Sequence, residues 1–192
     1  MEELKRRILA EGKNLGGGIL KIDSLLNHQM DPALMYAIGQ EIAHRFDGET
    51  ITRIITAEVS GIGPALMAGL ALGVPIVYAR KRKPITMKEP VYVDSAPSHT
   101  KGEEVLLMVS PEFLLAGDRV LLVDDFLATG KTIHALARIV RQAGATLVGV
   151  GAVVEKTFEG GRAFLADLDV RVESLAIITA MTDTEIIFDN MN

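Results

Sequence analysis

A single run of thirteen residues sets the architecture of this chain: Val120-Leu121-Leu122-Val123-Asp124-Asp125-Phe126-Leu127-Ala128-Thr129-Gly130-Lys131-Thr132. Its first four residues are apolar and mostly branched, which is typical of a β-strand buried on both faces. The pattern predicts a strand over 120–123, a loop over 124–129 and a helix over 130–142. Another buried strand follows at 147–154, so this segment reads as a strand, a helix and a parallel strand.

The chain around this run shows the same alternation of strands and helices. Apolar runs predict further strands at 54–57, 76–79, 105–109 and 172–179, and helical spacing predicts helices at 2–13, 31–46 and from Pro64. The polar segment 80–104 is too long for a tight connection, so we expect an excursion from the sheet there. These elements predict an α/β fold in one domain, 1–192, with a mainly parallel sheet covered by helices on both faces.

Composition excludes several classes of protein. The chain has 192 residues, 20 Lys and Arg against 25 Asp and Glu, a net charge of −5 and no cysteine. A disulfide scaffold and a cysteine nucleophile are therefore excluded, and the mild acidity argues against a nucleic-acid partner. Residues 59–79 are uncharged, but Pro64, Gly69, Gly73 and Pro75 divide them into a helix and a strand, so we expect no membrane span. We predict a cytoplasmic location.

The carboxyl end of the strand at 120–123 is the candidate site. Ligands of parallel sheets bind where strands end and helices begin. The unpaired amides of a helix N-terminus attract phosphate, and small residues at 128–130 allow a close approach. The carboxylates of Asp124 and Asp125 suit sugar hydroxyls or hydrated Mg²⁺ instead. The arrangement predicts a sugar phosphate with its hydroxyls at the acids and its phosphate at 128–132.

Other motifs fail on spacing. A Walker A loop ending at Gly130-Lys131-Thr132 would need a glycine where Asp125 stands. A nucleophile elbow at Ser60 would need a glycine where Glu58 stands.

Residues 120–132 resemble the signature that binds phosphoribosyl pyrophosphate (PRPP) in type I phosphoribosyltransferases. Further motifs resemble the bacterial members that use xanthine: Leu25-Leu26-Asn27-His28-Gln29 with Asp31-Pro32, Glu58-Val59-Ser60-Gly61-Ile62, Tyr78-Ala79-Arg80-Lys81 and Val154-Glu155-Lys156-Thr157-Phe158. The resemblance covers nearly the whole chain. It implies the type I phosphoribosyltransferase fold, a twisted, mainly parallel sheet flanked by helices, with a small hood formed by about 1–35 and the C-terminal segment.

The resemblance also implies roles in PRPP binding. The 5-phosphate would be held by Ala128, Thr129, Gly130, Lys131 and Thr132. Asp124 and Asp125 would engage the ribose and a Mg²⁺ ion, and together with Glu58 they are the predicted catalytic residues. The pyrophosphate would meet Ser60 and Gly61, with positive charge from Arg80 and from Lys81.

A second set of residues would select the base. A 6-oxopurine presents a carbonyl acceptor where adenine presents an amino donor, so a cation is the discriminating partner. The resemblance assigns that part to Lys156. It assigns Leu20 and Asn27 to the base site of the hood, while Phe126 or Phe158 would stack on the ring.

These assignments predict a Mg²⁺-dependent enzyme that transfers the phosphoribosyl group of PRPP to N9 of xanthine, giving XMP and pyrophosphate. A homodimer is expected from the resemblance, and a loop around Ser98, Thr100 and Lys101 is the candidate for excluding water. Two alternatives stay open. The base could be guanine, hypoxanthine or adenine, or the chain could be a non-catalytic regulator that senses PRPP. Ala128 stands where hypoxanthine-guanine enzymes place an acid, so the general base is not identified.

Overall fold

The computed structural model describes residues 1–97, 104–182 and 184–189. Its strands are β1 (Lys13–Asn14), β2 (Leu20–Lys21), β3 (Arg53–Ala57), β4 (Ile76–Ala79), β5 (Tyr92–Pro97), β6 (Glu104–Val109), β7 (Arg119–Leu127), β8 (Thr146–Lys156), β9 (Arg171–Met181) and β10 (Ile186–Phe188). Its α-helices are α1 (Glu2–Glu11), α2 (Pro32–Arg45), α3 (Ile62–Leu72), α4 (Lys131–Gln142) and α5 (Gly161–Phe164).

The main sheet has six strands in the order β10-β9-β8-β7-β3-β4. All neighbouring pairs are parallel except β10 and β9. Two apolar cores cover its faces, because successive side chains of a strand point to opposite sides. Leu121 and Val123 join the core under α1, α2 and α3, whereas Val120 and Leu122 join the core under α4. The predicted α/β class and the parallel units at 54–79 and 120–154 are confirmed.

Strand β7 is longer than the sequence pattern predicted. The prediction of a loop over 124–129 is wrong, because β7 stays paired with β8 through Leu127. Asp124 lies opposite Ala152 and Leu127 opposite Glu155. The two acids are therefore held by a sheet on at least one side, so their backbone is more rigid than that of a loop.

The described parts of the segment 80–104, residues 80–97 and Glu104, form the expected excursion, with more structure than the pattern indicated. Strands β5 and β6 make an antiparallel hairpin outside the main sheet. Paired backbone bonds between Arg80 and Met108 join the hairpin to the end of β4. On the other side, Arg138 of α4 binds Asp94 through two bonds, at 2.5 and 2.8 Å. The predicted loop residues Ser98, Thr100 and Lys101 lie outside the described residues.

The N-terminal segment packs on the face of the sheet that α2 and α3 also cover. Strands β1 and β2 are joined by a turn in which Gly16, Gly17 and Gly18 all have positive φ, a conformation that favours glycine. A single π-helical turn, Asp23–Asn27, leads into α2. The amide of Asn14 donates to the carbonyl of Thr182, and the amino terminus donates to the carbonyl of Leu175 at 2.5 Å. The edge strand β10 occupies part of what the pattern indicated as a polar tail.

No helix in the described ranges is long and apolar enough to cross a membrane. The uncharged run 59–79 is divided as expected, since α3 ends before Gly73 and β4 begins at Ile76.

Candidate active site

A cavity of about 690 Å³ lies at the carboxyl ends of β3, β7 and β8. It is bordered by the sheet, the N-terminal segment and the β5–β6 hairpin. Many of the predicted site residues line it together: Leu20, Glu58, Ser60, Asp124, Asp125, Phe126, Ala128, Thr129, Gly130, Lys131, Thr132 and Lys156. The structure thus brings the predicted phosphate, ribose and base residues to one place.

The segment 128–132, which we call the phosphate loop, joins β7 to α4. Gly130 caps α4 with φ +76°, which non-glycine residues rarely adopt. The first amides of a helix have no partner within it, so the amides at the start of α4 are available to an anion. The loop also abuts the first residue of α5, because a Cβ on Gly130 would lie 3.0 Å from the carbonyl oxygen of Gly161.

The paired acids differ in their surroundings. Asp124 is buried, whereas Asp125 is partly exposed. Burial raises the pKa of Asp124 well above its usual value, and the nearby charge of Asp125 adds to that effect. The backbone amide of Asp125 donates to Oδ1 of Asp124 at 3.1 Å, and the amide of Phe126 donates to Oδ1 of Asp125 at 3.0 Å. The two carboxylates are therefore oriented by the strand that carries them.

Gly61 allows the loop after β3 to approach Asp124. A Cβ on Gly61 would lie 2.8 Å from Oδ1 of Asp124 and 2.2 Å from Oγ1 of Thr56. The Thr56 hydroxyl is buried and has no hydrogen-bond partner. Gly61 does not itself line the cavity, so it shapes the loop rather than the cavity wall.

The carboxylate oxygens of Asp124 and Asp125 are suitable ligands for one kind of metal ion. Among the described residues, no cluster of three or more His, Cys, Asp or Glu side chains could hold a metal. Two neighbouring carboxylates beside a cavity fit Mg²⁺, which keeps several waters and takes its other ligands from a phosphorylated substrate. The residues that would hold it are Asp124 and Asp125.

Glu58 is engaged with the chain that follows β4. Its Oε1 accepts the backbone amide of Lys81 at 2.6 Å, and its Oε2 lies 2.8 Å from Nε of Arg80. The latter contact is an ion pair whose N–H is not directed at the oxygen. Arg80 does not line the cavity, whereas Lys81 does. The peptide bond between Glu58 and Val59 is cis. This arrangement makes Glu58 a support for the basic segment in this structure.

Lys156 lies at the end of β8 and is buried. Its ammonium donates to the carbonyl of Gly18 at 2.8 Å and to Oε1 of Glu159 at 3.2 Å. It also lies 5.4 Å from the centre of the Phe126 ring, within the range of a cation–π contact. The predicted base residues Lys156, Phe126 and Leu20 therefore share one end of the cavity. Phe158, the alternative stacking residue, is 45% exposed and does not line it.

Asn27 does not line the cavity, although the resemblance placed it in the base site. Its side-chain amide instead donates to Oδ2 of Asp125 at 2.9 Å. Four lining residues of the hairpin were not predicted from the sequence: Ala96, Pro97, Val105 and Leu107. The length of the segment 80–104 was the only signal, because small and apolar side chains carry no chemical pattern.

A family model and the curated relatives that match this chain carry the same kind of name. The model of the phosphoribosyl transferase domain family matches residues 23–178. Xanthine phosphoribosyltransferase of Ectopseudomonas mendocina is 47% identical over 188 residues, 98% of this chain and 99% of the relative. The enzyme of the same name from Deinococcus deserti is 51% identical over 183 residues, 95% of each chain.

Solved structures with the same fold carry a different name. Adenine phosphoribosyltransferase from Thermoanaerobacter pseudethanolicus superimposes with a TM-score of 0.74 at 26% identity, covering 92% of this chain and 98% of the other. The APRTase of Giardia lamblia complexed with 9-deazaadenine superimposes with a TM-score of 0.76 at 22% identity, covering 93% and 98%. The architecture predicted from the sequence is thereby confirmed.

Proposed function

The chain belongs to the phosphoribosyltransferase family, and from that membership we propose that it transfers the phosphoribosyl group of PRPP to N9 of xanthine, giving XMP and pyrophosphate. The observation that carries the proposal is one cavity in which the phosphate loop, the pair Asp124–Asp125 and the cation of Lys156 meet. Relatives named for xanthine, 47–51% identical over nearly the whole chain, support the choice of base.

The residues that bind PRPP lie at the carboxyl end of β7 and in the phosphate loop that follows it. The phosphate loop binds the 5-phosphate through its amides and the positive end of the α4 dipole. Asp124 and Asp125 accept hydrogen bonds from the ribose hydroxyls, and they are the residues that would hold Mg²⁺. That ion, when bound, neutralises negative charge on the pyrophosphate. Lys81 adds positive charge from the opposite wall, and Glu58 positions its backbone.

The purine half depends on Lys156. The ammonium donates to a ring carbonyl of xanthine, and Phe126 supplies an apolar face beside it. Adenine would present an amino donor to the same cation, so we expect it to be a poor substrate. The two adenine enzymes described above are only 22% and 26% identical to the chain, so their likeness does not decide the base.

Catalysis is proposed to rest on positioning and electrostatics. The bond between the anomeric carbon and the pyrophosphate oxygen breaks, and the bond to N9 forms on the opposite face. Positive charge that develops on the ribose ring lies near the carboxylate of Asp125, which stabilises it. The hairpin residues Ala96 and Leu107 form an apolar wall that limits water, which would otherwise hydrolyse PRPP.

The test is a comparison of four bases. Purified protein receives PRPP, Mg²⁺ and xanthine, guanine, hypoxanthine or adenine, and pyrophosphate release is measured. We expect the highest kcat/KM with xanthine. Faster turnover with adenine would overturn the role of Lys156, and release with none of the bases would favour a regulator that senses PRPP.

We also propose that the protein is a homodimer and is located in the cytoplasm. Large apolar side chains are exposed on α2, the loop before α3, α3 and the edge strand β4: Tyr36, Val59, Leu66, Leu70 and Tyr78. Monomeric proteins rarely leave such a surface uncovered, and a second copy is the partner that the family resemblance favours. The absence of cysteine supports a reducing compartment.

A further inference from the structure

Glu155 is a buried charge that the proposed reaction does not use. Within the described part of the chain, the buried charged side chains are those of Asp124, Glu155 and Lys156. Asp124 and Lys156 line the cavity, but Glu155 does not. It precedes Lys156 on β8, and successive side chains of a strand point to opposite faces. A buried carboxylate is costly unless it is paired, so the partners of Glu155 need an explanation.

Those partners come from α5 and β9. Arg162 donates to both carboxylate oxygens, from Nε at 2.9 Å and from Nη2 at 2.5 Å. The hydroxyl of Ser174 donates to the same carboxylate at 2.5 Å. Arg162 also donates from Nη1 to the carbonyl of Val172 at 2.9 Å. The guanidinium therefore binds two strands of the main sheet at once, in the paired geometry that gives the strongest hydrogen bonds.

Arg162 is carried by the segment that walls the phosphate loop. Its neighbour Gly161 packs so closely that an added Cβ would lie 2.2 Å from the carbonyl oxygen of Ala128 and 2.9 Å from the amide nitrogen of Gly130. Directly after α5, Leu165 also lies 3.3 Å from the position of a Cβ on Gly130. The phosphate loop thus rests against a short helix of four residues, which has little stability of its own.

We propose that the ion pair of Glu155 and Arg162 is a positioning device for the phosphate loop. It holds α5 on the sheet, so that Gly161 supports the loop and keeps its amides directed at the 5-phosphate. Glu155 is fully buried, whereas the side chain of its partner Arg162 is 46% exposed. Without that partner the carboxylate would be an uncompensated buried charge, so the pair fixes where α5 lies on the sheet. The proposal rests on the proposed function, because it concerns the same PRPP site.

The experiment measures the KM values for PRPP and xanthine, and the Kd of ribose 5-phosphate by calorimetry, in Arg162→Met and Arg162→Lys. Small displacements of a binding group are costly, so we expect Arg162→Met to raise the KM for PRPP and the Kd by roughly tenfold to a hundredfold. The KM for xanthine should change by less than about twofold. Arg162→Lys, or methylguanidine added to Arg162→Met, should restore part of the affinity.

The matched control is Arg171→Met, which removes an exposed arginine that pairs with Glu173 away from the loop. Unchanged ribose 5-phosphate affinity in Arg162→Met, or an equal loss for both substrates, would overturn the positioning role. If Arg162→Met does not fold, Gly161→Ala carries the test, because its Cβ would push the phosphate loop. Gly160→Asn is the control for that variant, because a Cβ at Gly160 would have open space. Wild-type protein that binds ribose 5-phosphate but releases no pyrophosphate would contradict the proposed function while leaving the positioning role measurable.

Discussion

The amide of Asn27 donates a hydrogen bond of 2.9 Å to Oδ2 of Asp125, although the two residues are 98 positions apart. Asn27 ends the π-helical turn of the N-terminal segment, and Asp125 lies in the last part of β7. The bond therefore connects the N-terminal segment to a carboxylate that lines the cavity. A substrate that engages either residue has to replace or keep this bond.

Replacement of Asn27 by leucine tests that connection. The variant keeps a similar volume but removes the donor, so Asp125 loses one hydrogen bond to its charged form. Bonds to charged groups are worth about 1.5–3 kcal/mol, so we expect kcat/KM for xanthine to fall by roughly tenfold or more. His28→Ala, in the same exposed turn, is the control. Steady-state kinetics that match the wild type would mean that the contact has no role in catalysis.

Replacement of Lys156 by methionine should affect one substrate more than the other. Methionine keeps a long side chain beside Phe126 but removes the ammonium. We expect kcat/KM for xanthine to fall roughly tenfold to a hundredfold, the size of a lost charged hydrogen bond. Ribose 5-phosphate binding should stay close to wild type. Lys21→Ala, an exposed lysine beside Asp23, is the control. An equal loss of both affinities would contradict a role in base selection.

Asp124→Asn should stabilise the free protein while it abolishes activity. Burial raises the pKa of Asp124 above its usual value of 3.8, so the folded state binds the proton more tightly than the unfolded state. The free energy of unfolding of the wild type therefore falls as the pH rises from that value through the folded-state pKa. The asparagine variant avoids this loss.

We expect the Asp124→Asn advantage to reach roughly 1 kcal/mol at neutral pH, or about 2–4 °C in melting temperature. It should shrink in acid, where the wild-type carboxyl is protonated. Thermal melts of both proteins across this pH range provide the measurement, without PRPP or Mg²⁺. An advantage that is the same at every pH would show that ionisation of Asp124 is not the cause.

Arg138→Met should loosen the hairpin that walls the cavity. Arg138 pairs with Asp94, and its hydrogen bond lowers the pKa of that carboxyl. A partly exposed ion pair is worth roughly 1 kcal/mol, so amide exchange in β5 and β6 should accelerate by about fivefold. Exchange in β7 and β8 should not change. Arg141→Met on the same helix is the control. Equal exchange rates in the two variants would show that Arg138 does not tether the hairpin.

Leu70→Arg tests the proposed dimer. Leu70 is 65% exposed on α3, one turn after Leu66. A charge in the centre of a covered apolar surface should weaken association by roughly tenfold or more. Light scattering after size exclusion should then show the monomer mass at a concentration where the wild type is a dimer. Leu115→Arg, at another exposed leucine, should leave the mass unchanged. A wild type that is monomeric at every concentration would exclude the interface.

Local patterns were sufficient where one segment determines its own structure. The apolar runs at 54–57 and 76–79 are strands because branched and aromatic residues favour extended backbone, and the inward side chains of both runs pack into the cores on the sheet. Their observed bounds, β3 and β4, differ from the predicted ones by at most one residue. The helix after Gly130 was equally clear, since its helical spacing stops before Gly144, a glycine with positive φ of the kind that ends helices.

Long-range pairing could not be predicted from the sequence. Asp124 and Asp125 read as loop residues because carboxylates are rare in strands, yet pairing with β8 keeps them in one. Asn27 carries no sign that Asp125 is its partner. Glu155 and Arg162 are seven positions apart, a spacing that suggests no contact until the turn at Gly160 brings α5 back over the sheet. In each case the partner is determined by the tertiary fold.

Strand β8 places Glu155 and Lys156 on opposite sides, one beside α5 and the other in the cavity. A deletion or insertion of one residue within Thr146–Lys156 would exchange the two sides, leaving a lysine against Arg162 and a carboxylate beside Phe126. A change in the length of this strand would impair recognition of both substrates in a single mutational event.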